Sequence, residues 1–447
     1  MKITLIQPAM GRESDAFVES WKMEPLSMAV LAGLTPDRHE VRFFDDRVEP
    51  LDLDAPTDLV AISVETYTAR RAYQIARAFR QRGVKVVLGG YHATLVPDEV
   101  RGFADAVVYG EAEPVWERLL ADAEAGCLQP AYRAEGRPAV YSVKADRSIF
   151  AGKRYMPLTL VETGRGCNFV CDFCSVTSYF RQQVRWRPAD EVAAEIASTG
   201  RRRVFLVDDN LTTDFARAKE LFRAIEPLKI HWLSQATINT GTDDELCRLM
   251  QRSGCAGILV GFESLGEDTL KSMRKQFNQG AGKFRDALAR LRDHGLKIYA
   301  TFVFGYDTDT PDLFERTLDF AMEQKFFVTA FNHMQPFPGT PLYARMEAEG
   351  RLLYPRWWLE PSYRFGQIVF RPRLMEPDQL YQKLRETRAR FFSWSSILSR
   401  ATDFKANCRD PRAAWYHFAV NAILKKELNE KWATPLGDLG QPDPLGP

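Results

Sequence analysis

The chain has 447 residues, 45% of them hydrophobic and 27% charged, with 60 basic against 59 acidic side chains. That length suits two or three domains, and the even charge balance gives no field that would draw the protein onto nucleic acid or an anionic membrane. No apolar run approaches the roughly 18 residues of a membrane span, and Met1-Lys-Ile-Thr-Leu-Ile-Gln-Pro8 reads as a strand, not a signal peptide. The expected setting is therefore cytoplasmic, where thiols stay reduced.

Residues 1–125 alternate strand and helix signals. Lys2–Ile6, Val41–Phe44, Leu59–Val64, Val84–Leu88 and Ala106–Tyr109 are short β-rich runs, with helical patterns at Thr68–Arg82 and Pro114–Glu124. This predicts a doubly wound parallel sheet, whose ligand edge lies beyond the carboxyl ends of the strands. Loops there include Ser63-Val-Glu-Thr-Tyr67 and Gly89-Gly-Tyr-His-Ala-Thr94. A double glycine at a strand end lets backbone approach a ligand, or makes a tight turn.

Residues 126–155 read as a polar connector. From 156 to 345 come six strand signals, at Thr159–Glu162, Val204–Val207, His231–Thr237, Gly257–Val260, Ile298–Phe304 and Val328–Phe331. Helices at Ala189–Ser198, Asp214–Ile225, Asp243–Arg252 and Phe284–His294 fall between them. Six βα units are too few for a closed eight-fold barrel. Asp208-Asp209-Asn210, Gln235 and Gly261-Phe-Glu-Ser264 stand at strand ends, where active-site residues collect. Helix capping or a solvated turn explains the two aspartates equally well. The segment 346–434 is aromatic and basic, with helical stretches at Glu376–Phe392 and Ala413–Leu428, and suits a small, mainly helical cap. The Gly/Pro-rich tail 435–447 is expected to be disordered.

Three of the seven cysteines stand in Gly164-Arg-Gly-Cys-Asn-Phe-Val-Cys-Asp-Phe-Cys-Ser175. Cys167, Cys171 and Cys174 can hold three corners of an iron–sulfur cube, leaving one iron open, whereas electron carriers supply four thiolates. A zinc site wants four ligands, and neither His92 nor His231 is near in sequence. An odd cysteine count without a secretory signal argues against disulfides. Cys127, Cys247, Cys255 and Cys408 read as small hydrophobes.

The run Cys167, Cys171, Phe173, Cys174 resembles the signature of the radical S-adenosylmethionine (SAM) superfamily. The resemblance implies a partial (β/α)6 barrel and a 4Fe–4S cluster whose open iron chelates SAM. It further implies reductive cleavage of SAM to a 5′-deoxyadenosyl radical, with electrons from a low-potential flavodoxin or ferredoxin type of donor. Gly261-Phe-Glu-Ser264 resembles the superfamily's Gly-x-Glu-Ser element, placing Glu263 and Ser264 by SAM. Phe302-Val-Phe-Gly305 resembles the element that packs on adenine, through Phe304, and Gln235 joins the same site. With that signature downstream, the first domain resembles the cobalamin-binding domain of cobalamin-dependent members. Ser63, Thr66, Gly89, Gly90, Tyr91 and His92 would then face the cofactor. The Asp-x-His-x-x-Gly motif that ligates cobalt is absent, since the first loop reads Gln7-Pro-Ala-Met-Gly-Arg-Glu13. The expected reaction is methylation of an unactivated carbon in a small-molecule or lipid-like substrate. Radical cyclisation, rearrangement or oxidation, as in anaerobic tetrapyrrole cyclases, is the enzymatic alternative. An electron carrier, a sensor or a zinc-binding module are the non-enzymatic ones.

Overall fold

The computed structural model describes residues 1–12, 22–134, 144–275, 281–428, 432–441 and 443–444, with backbone only at 281–283. The first sheet holds β1 (Lys2–Gln7), β2 (Glu40–Asp45), β3 (Leu59–Ser63), β4 (Lys85–Gly89), β5 (Ala106–Tyr109) and β6 (Ala131–Arg133). All pairings are parallel and the order is β2-β1-β3-β4-β5-β6. The order reverses between β1 and β3, which is the topological switch point of a doubly wound fold. The connector reading thus gives way over Ala131–Arg133, which completes this sheet, and Phe150 packs edge-on against Phe43 at 5.8 Å. Residues 135–143 lie outside the described residues.

The second sheet is built from β7 (Thr159–Val161), β8 (Arg203–Leu206), β9 (His231–Ala236), β10 (Cys255–Glu263), β11 (Lys297–Phe304) and β12 (Val328–His333). Its six strands are parallel and lie in sequence order, each but the last followed by a helix that packs outside. That is an open, partial barrel. Helix Pro377–Phe391 of the cap lies along β12 and covers the exposed edge strand.

One face of the first sheet, with Ile6, Val60, Ile62 and Leu88, belongs to the same connected apolar core as the barrel. The opposite face, with Ile3, Leu5 and Val87, is sealed by helices Leu26–Leu34 and Trp116–Glu124. The tail departs from expectation. Leu436 is wholly buried and Gly437–Asp438 pairs in parallel with Gly11–Arg12. Arg70 and Gln74 hold it by donating to the Leu436 and Asp438 carbonyls at 3.3 and 2.9 Å. Composition pointed to disorder, but one apolar side chain and a backbone ladder outweigh it. Residues 442 and 445–447 lie outside the described residues. Among the described residues no helix is long and apolar enough to cross a membrane.

Candidate functional site

The cysteine loop leaves the carboxyl end of β7 and enters helix Ser175–Phe180, with Cys174 as its N-cap. Neighbouring strand ends pin it. Thr163 Oγ1 donates to Asp208 Oδ1 at 2.8 Å, and the Gly166 amide donates to Asp209 Oδ2 at 2.8 Å. Burial pushes the Asp208 carboxyl up to about 8, so it is protonated near neutrality. The two aspartates are therefore loop anchors, neither solvated nor caps. Within the motif, Asp172 accepts from Tyr306 Oη at 3.0 Å, and its carbonyl accepts from the Leu342 amide.

Arg165 forms a bridge between domains. Its guanidinium donates to Glu162, Glu111 and Glu113 at 2.8, 2.6 and 2.5 Å, and Arg185 shares Glu111 at 2.8 Å. Glu111 and Glu113 lie in the loop after β5, so the ligand edge of the first sheet is tied to the cysteine loop. Burial raises the Glu162 carboxyl, and Arg165 restrains the rise.

The three thiols fit an iron–sulfur cluster. Burial raises all three; Cys167 and Cys171 also feel the charge of a neighbouring cysteine, and Cys174 that of Asp209. Cys171 is pushed up to about 12, even with Lys275 nearby to lower it. The amides of Val176 and Thr177, at a helix N-terminus, point to the Cys174 sulfur. Such thiols, held close in a dry pocket with little cationic support, need metal to ionise. Each corner thiolate of a cube binds a different iron, so the three need not converge on one point. Among the described residues no three His, Cys, Asp or Glu side chains do so.

The strand ends opposite carry the residues expected at SAM. On β9, Trp232 stacks on Phe222 of the outer helix, and Gln235, three positions along and so on the opposite face of the strand, looks into the barrel. Glu263 ends β10 with φ of 64° and pairs with Lys275 at 2.7 Å, both buried. Gly261 leaves room for this pair, because a Cβ there would press on the Glu263 carboxylate and the Lys275 ammonium. Ser264 is buried and accepts from the Gly266 amide at 3.0 Å. Phe304 corrects the sequence reading. It stacks on Phe314 of helix Asp312–Glu323 at 4.2 Å and points outward. Strand alternation then turns Val303 inward, and Val303 lines the interior. Lys275 was missed because nothing in its local sequence marks it.

On the first domain, Tyr91 stacks on Tyr179 at 4.4 Å, and Ser63 borders Gly90. Gly90 has φ of 101°, and a Cβ there would press on the Val64 backbone at 2.9 Å, so the fold itself demands this glycine. Gly89 meets only ordinary contacts. His92 is a second correction. It is wholly buried, with Nδ1 3.2 Å from Thr66 Oγ1 and Nε2 3.2 Å from Glu99. Glu99 also accepts from Tyr73 and from Trp358 of the cap. His92 and Thr66 are thus parts of an internal knot, with no ring nitrogen left for a cofactor. The face fits a cobalamin that takes no imidazole from the protein. It is the ligand edge of a doubly wound sheet, it opposes the cysteine loop, and at Gly110 a Cβ would meet only open space.

Between the three regions lies a cavity of about 270 Å³. Phe173 of the cysteine motif, Tyr67 after β3, Val303, and Phe337 of the loop after β12 form apolar walls, while Arg388 and Trp432 close it from the cap. Tyr67 packs edge-on against Phe337 and Phe365 at 5.6 and 5.2 Å.

Residues 161–321 match the Radical SAM superfamily and residues 21–120 match the B12 binding domain. The chain is 29% identical to the bacteriochlorophyllide d C-12(1)-methyltransferase of Chlorobaculum tepidum, over 96% of this chain and 95% of that protein. Its fold resembles TsrM, a radical SAM methyltransferase of Kitasatospora setae solved with cobalamin and a 4Fe–4S cluster. The TM-score is 0.62 at 18% identity, over 78% of this chain and 75% of that one. It also resembles the cobalamin-dependent SAM radical enzyme OxsB, with a TM-score of 0.64 at 13% identity, over 95% of this chain and 71% of that one.

Proposed function

This chain belongs to the radical SAM proteins that carry a B12-binding domain, and from that premise we propose that it methylates an unactivated carbon of a planar, tetrapyrrole-type substrate. The observation that carries the proposal is the shared cavity, where the cysteine motif, the cobalamin edge and an aromatic cap meet. Bound there, the cluster, SAM and cobalamin supply hydrogen abstraction and a methyl group.

The chain's own residues hold and shield. Cys167, Cys171 and Cys174 take the cluster, while Asp208, Asp209 and Asp172 fix the loop that presents them. Gln235, Glu263 and Ser264 line the strand ends facing it, and Lys275 neutralises Glu263 in its buried position. Tyr67, Phe173 and Phe337 present ring faces to a flat substrate and exclude water. The cavity is smaller than a whole macrocycle, so it seats a substrate's reacting edge. A low-potential flavodoxin or ferredoxin in the cytoplasm would supply electrons.

The test is anaerobic reconstitution with iron, sulfide and cobalamin, then incubation with bacteriochlorophyllide d and SAM bearing a trideuterated methyl group. Product carrying that methyl on carbon supports the reading. SAM cleavage with an altered ring and no label would support cyclisation or oxidation instead. Label on another class of acceptor, with none on the pigment, would overturn the substrate.

A further inference from the structure

Arg388 is the one guanidinium lining the described wall of the cavity, and it has no acidic partner there. It projects from cap helix Pro377–Phe391, and its Nε donates to the Phe331 carbonyl at 2.8 Å. One Nη lies 3.5 Å from Asn332 Oδ1, which is a long contact. The guanidinium lies over the Trp432 ring at 4.4 Å. Trp432 is itself built in. Gly366 adopts φ of 94°, and a Cβ there would meet the indole at 3.0 Å. Among the described residues no carboxylate pairs with Arg388, although most buried arginines of this chain have one. Burial accordingly pushes it down to about 10.

The neighbours share this character. Both amide atoms of Gln335 are buried without a hydrogen-bond partner among the described residues, in a wall of the same cavity. Such groups in a native fold ask for a ligand or water. His333 Nδ1 stands 2.9 Å from the Met334 carbonyl, so it carries the hydrogen, and burial lowers the ring to about 4. The neutral ring offers no charge to compete. The cavity wall thus carries one guanidinium and one unpaired amide among aromatic side chains.

We propose that Arg388, with the unpaired Gln335 amide of the same cavity, anchors a carboxylate carried by the aromatic substrate and so sets which edge of that substrate faces Phe173 and the cysteine loop. A guanidinium suits this because its fork takes both carboxylate oxygens while its face stays stacked on indole. The proposal rests on the methyltransferase reading for the identity of the substrate, but its anion site can be tested without turnover.

The probes are 1-pyrenebutyrate and its neutral counterpart 1-pyrenebutanol, followed by fluorescence with the anaerobically reconstituted full chain. Wild type should bind the acid on the order of 30-fold more tightly than the alcohol. Arg388→Gln should erase that preference, and Arg388→Lys should retain part of it. Equal affinity of wild type for the two probes, or no binding of either, would overturn the proposal without any variant having to fold. Acid and methyl-ester forms of the pigment separate the two ideas. A preserved pyrenebutyrate preference with no pigment methylated would sink the tetrapyrrole reading and leave the anion site. Equal methylation of acid and ester, unchanged in Arg388→Gln, would sink the anion site and leave the methyltransferase.

Discussion

Replacing Arg165 by Met would remove the one cation that, among the described residues, Glu111, Glu113 and Glu162 share; their side chains are 9, 10 and 25% exposed. Were these surface pairs, the loss would be under about 1 kcal/mol each. They are enclosed, and the carboxylates stay behind, desolvated and repelling one another. Breaking a buried pair in this way costs about 3–5 kcal/mol, and the smaller, solvent-screened figure does not apply. Arg185 still reaches Glu111 at 2.8 Å, which favours the lower end of that range. The sign with pH follows from Glu162, which burial raises while Arg165 restrains it. Without Arg165 it rises further. A carboxyl raised in the fold favours folding only while protonated, and that benefit fades as pH climbs through its folded value. The variant's deficit should therefore widen from about pH 5 to about pH 8. Chemical denaturation across that range, on protein reconstituted anaerobically, measures it. Arg165→Met combined with Glu113→Gln and Glu162→Gln should recover most of the loss, since Arg185 still pairs with Glu111 and removing both sides of a buried pair is often nearly neutral. An Arg165→Met protein within about 0.5 kcal/mol of wild type at every pH would refute the reasoning.

Cys171→Ala should abolish the cluster's visible absorbance and all reductive SAM cleavage; retained cleavage would remove the cluster assignment. His92→Gln should cost about 1–3 kcal/mol by removing one of the buried partners of Glu99, yet leave cobalt per folded chain unchanged; cobalt lost at unchanged stability would return His92 to the cofactor. Phe304→Ala should destabilise by about 3–5 kcal/mol as a core truncation. Val303→Trp should instead fill the cavity and stop turnover with little change in melting, so the opposite pattern in the two variants would reverse the strand's facing. Asp208 is raised to about 8, so wild type should lose stability as pH climbs through that value. Asp208→Asn should flatten that limb, and an unchanged limb would show that the carboxyl is already ionised.

What could be read from the sequence was whatever repeats along the chain or crowds into one short run. Strand periodicity placed the barrel strands to within a few residues, because a buried parallel strand is a continuous apolar run. The cysteine triad needed no tertiary knowledge at all. Phe304 went astray by a single position, since a strand buried on one face and lining a cavity on the other is apolar on both. His92 was placed at the cofactor because its partners Thr66, Glu99 and Trp358 converge on it only on folding. Lys275, Arg165 and Arg388 were not visible, because each owes its significance to residues from elements distant in sequence. The tail misled because one buried leucine decides its place.

That tail carries a consequence for biosynthesis. Residues 436–438 staple helix Ala69–Gln81 and pair with Gly11–Arg12. At ordinary rates of synthesis, roughly 20–70 s pass between translation of Gln74 and of Gly437. The sheet domain, made before the barrel and the cap, is therefore finished only after both of them. Its nascent form waits with a short backbone edge unpaired while the barrel and cap are made.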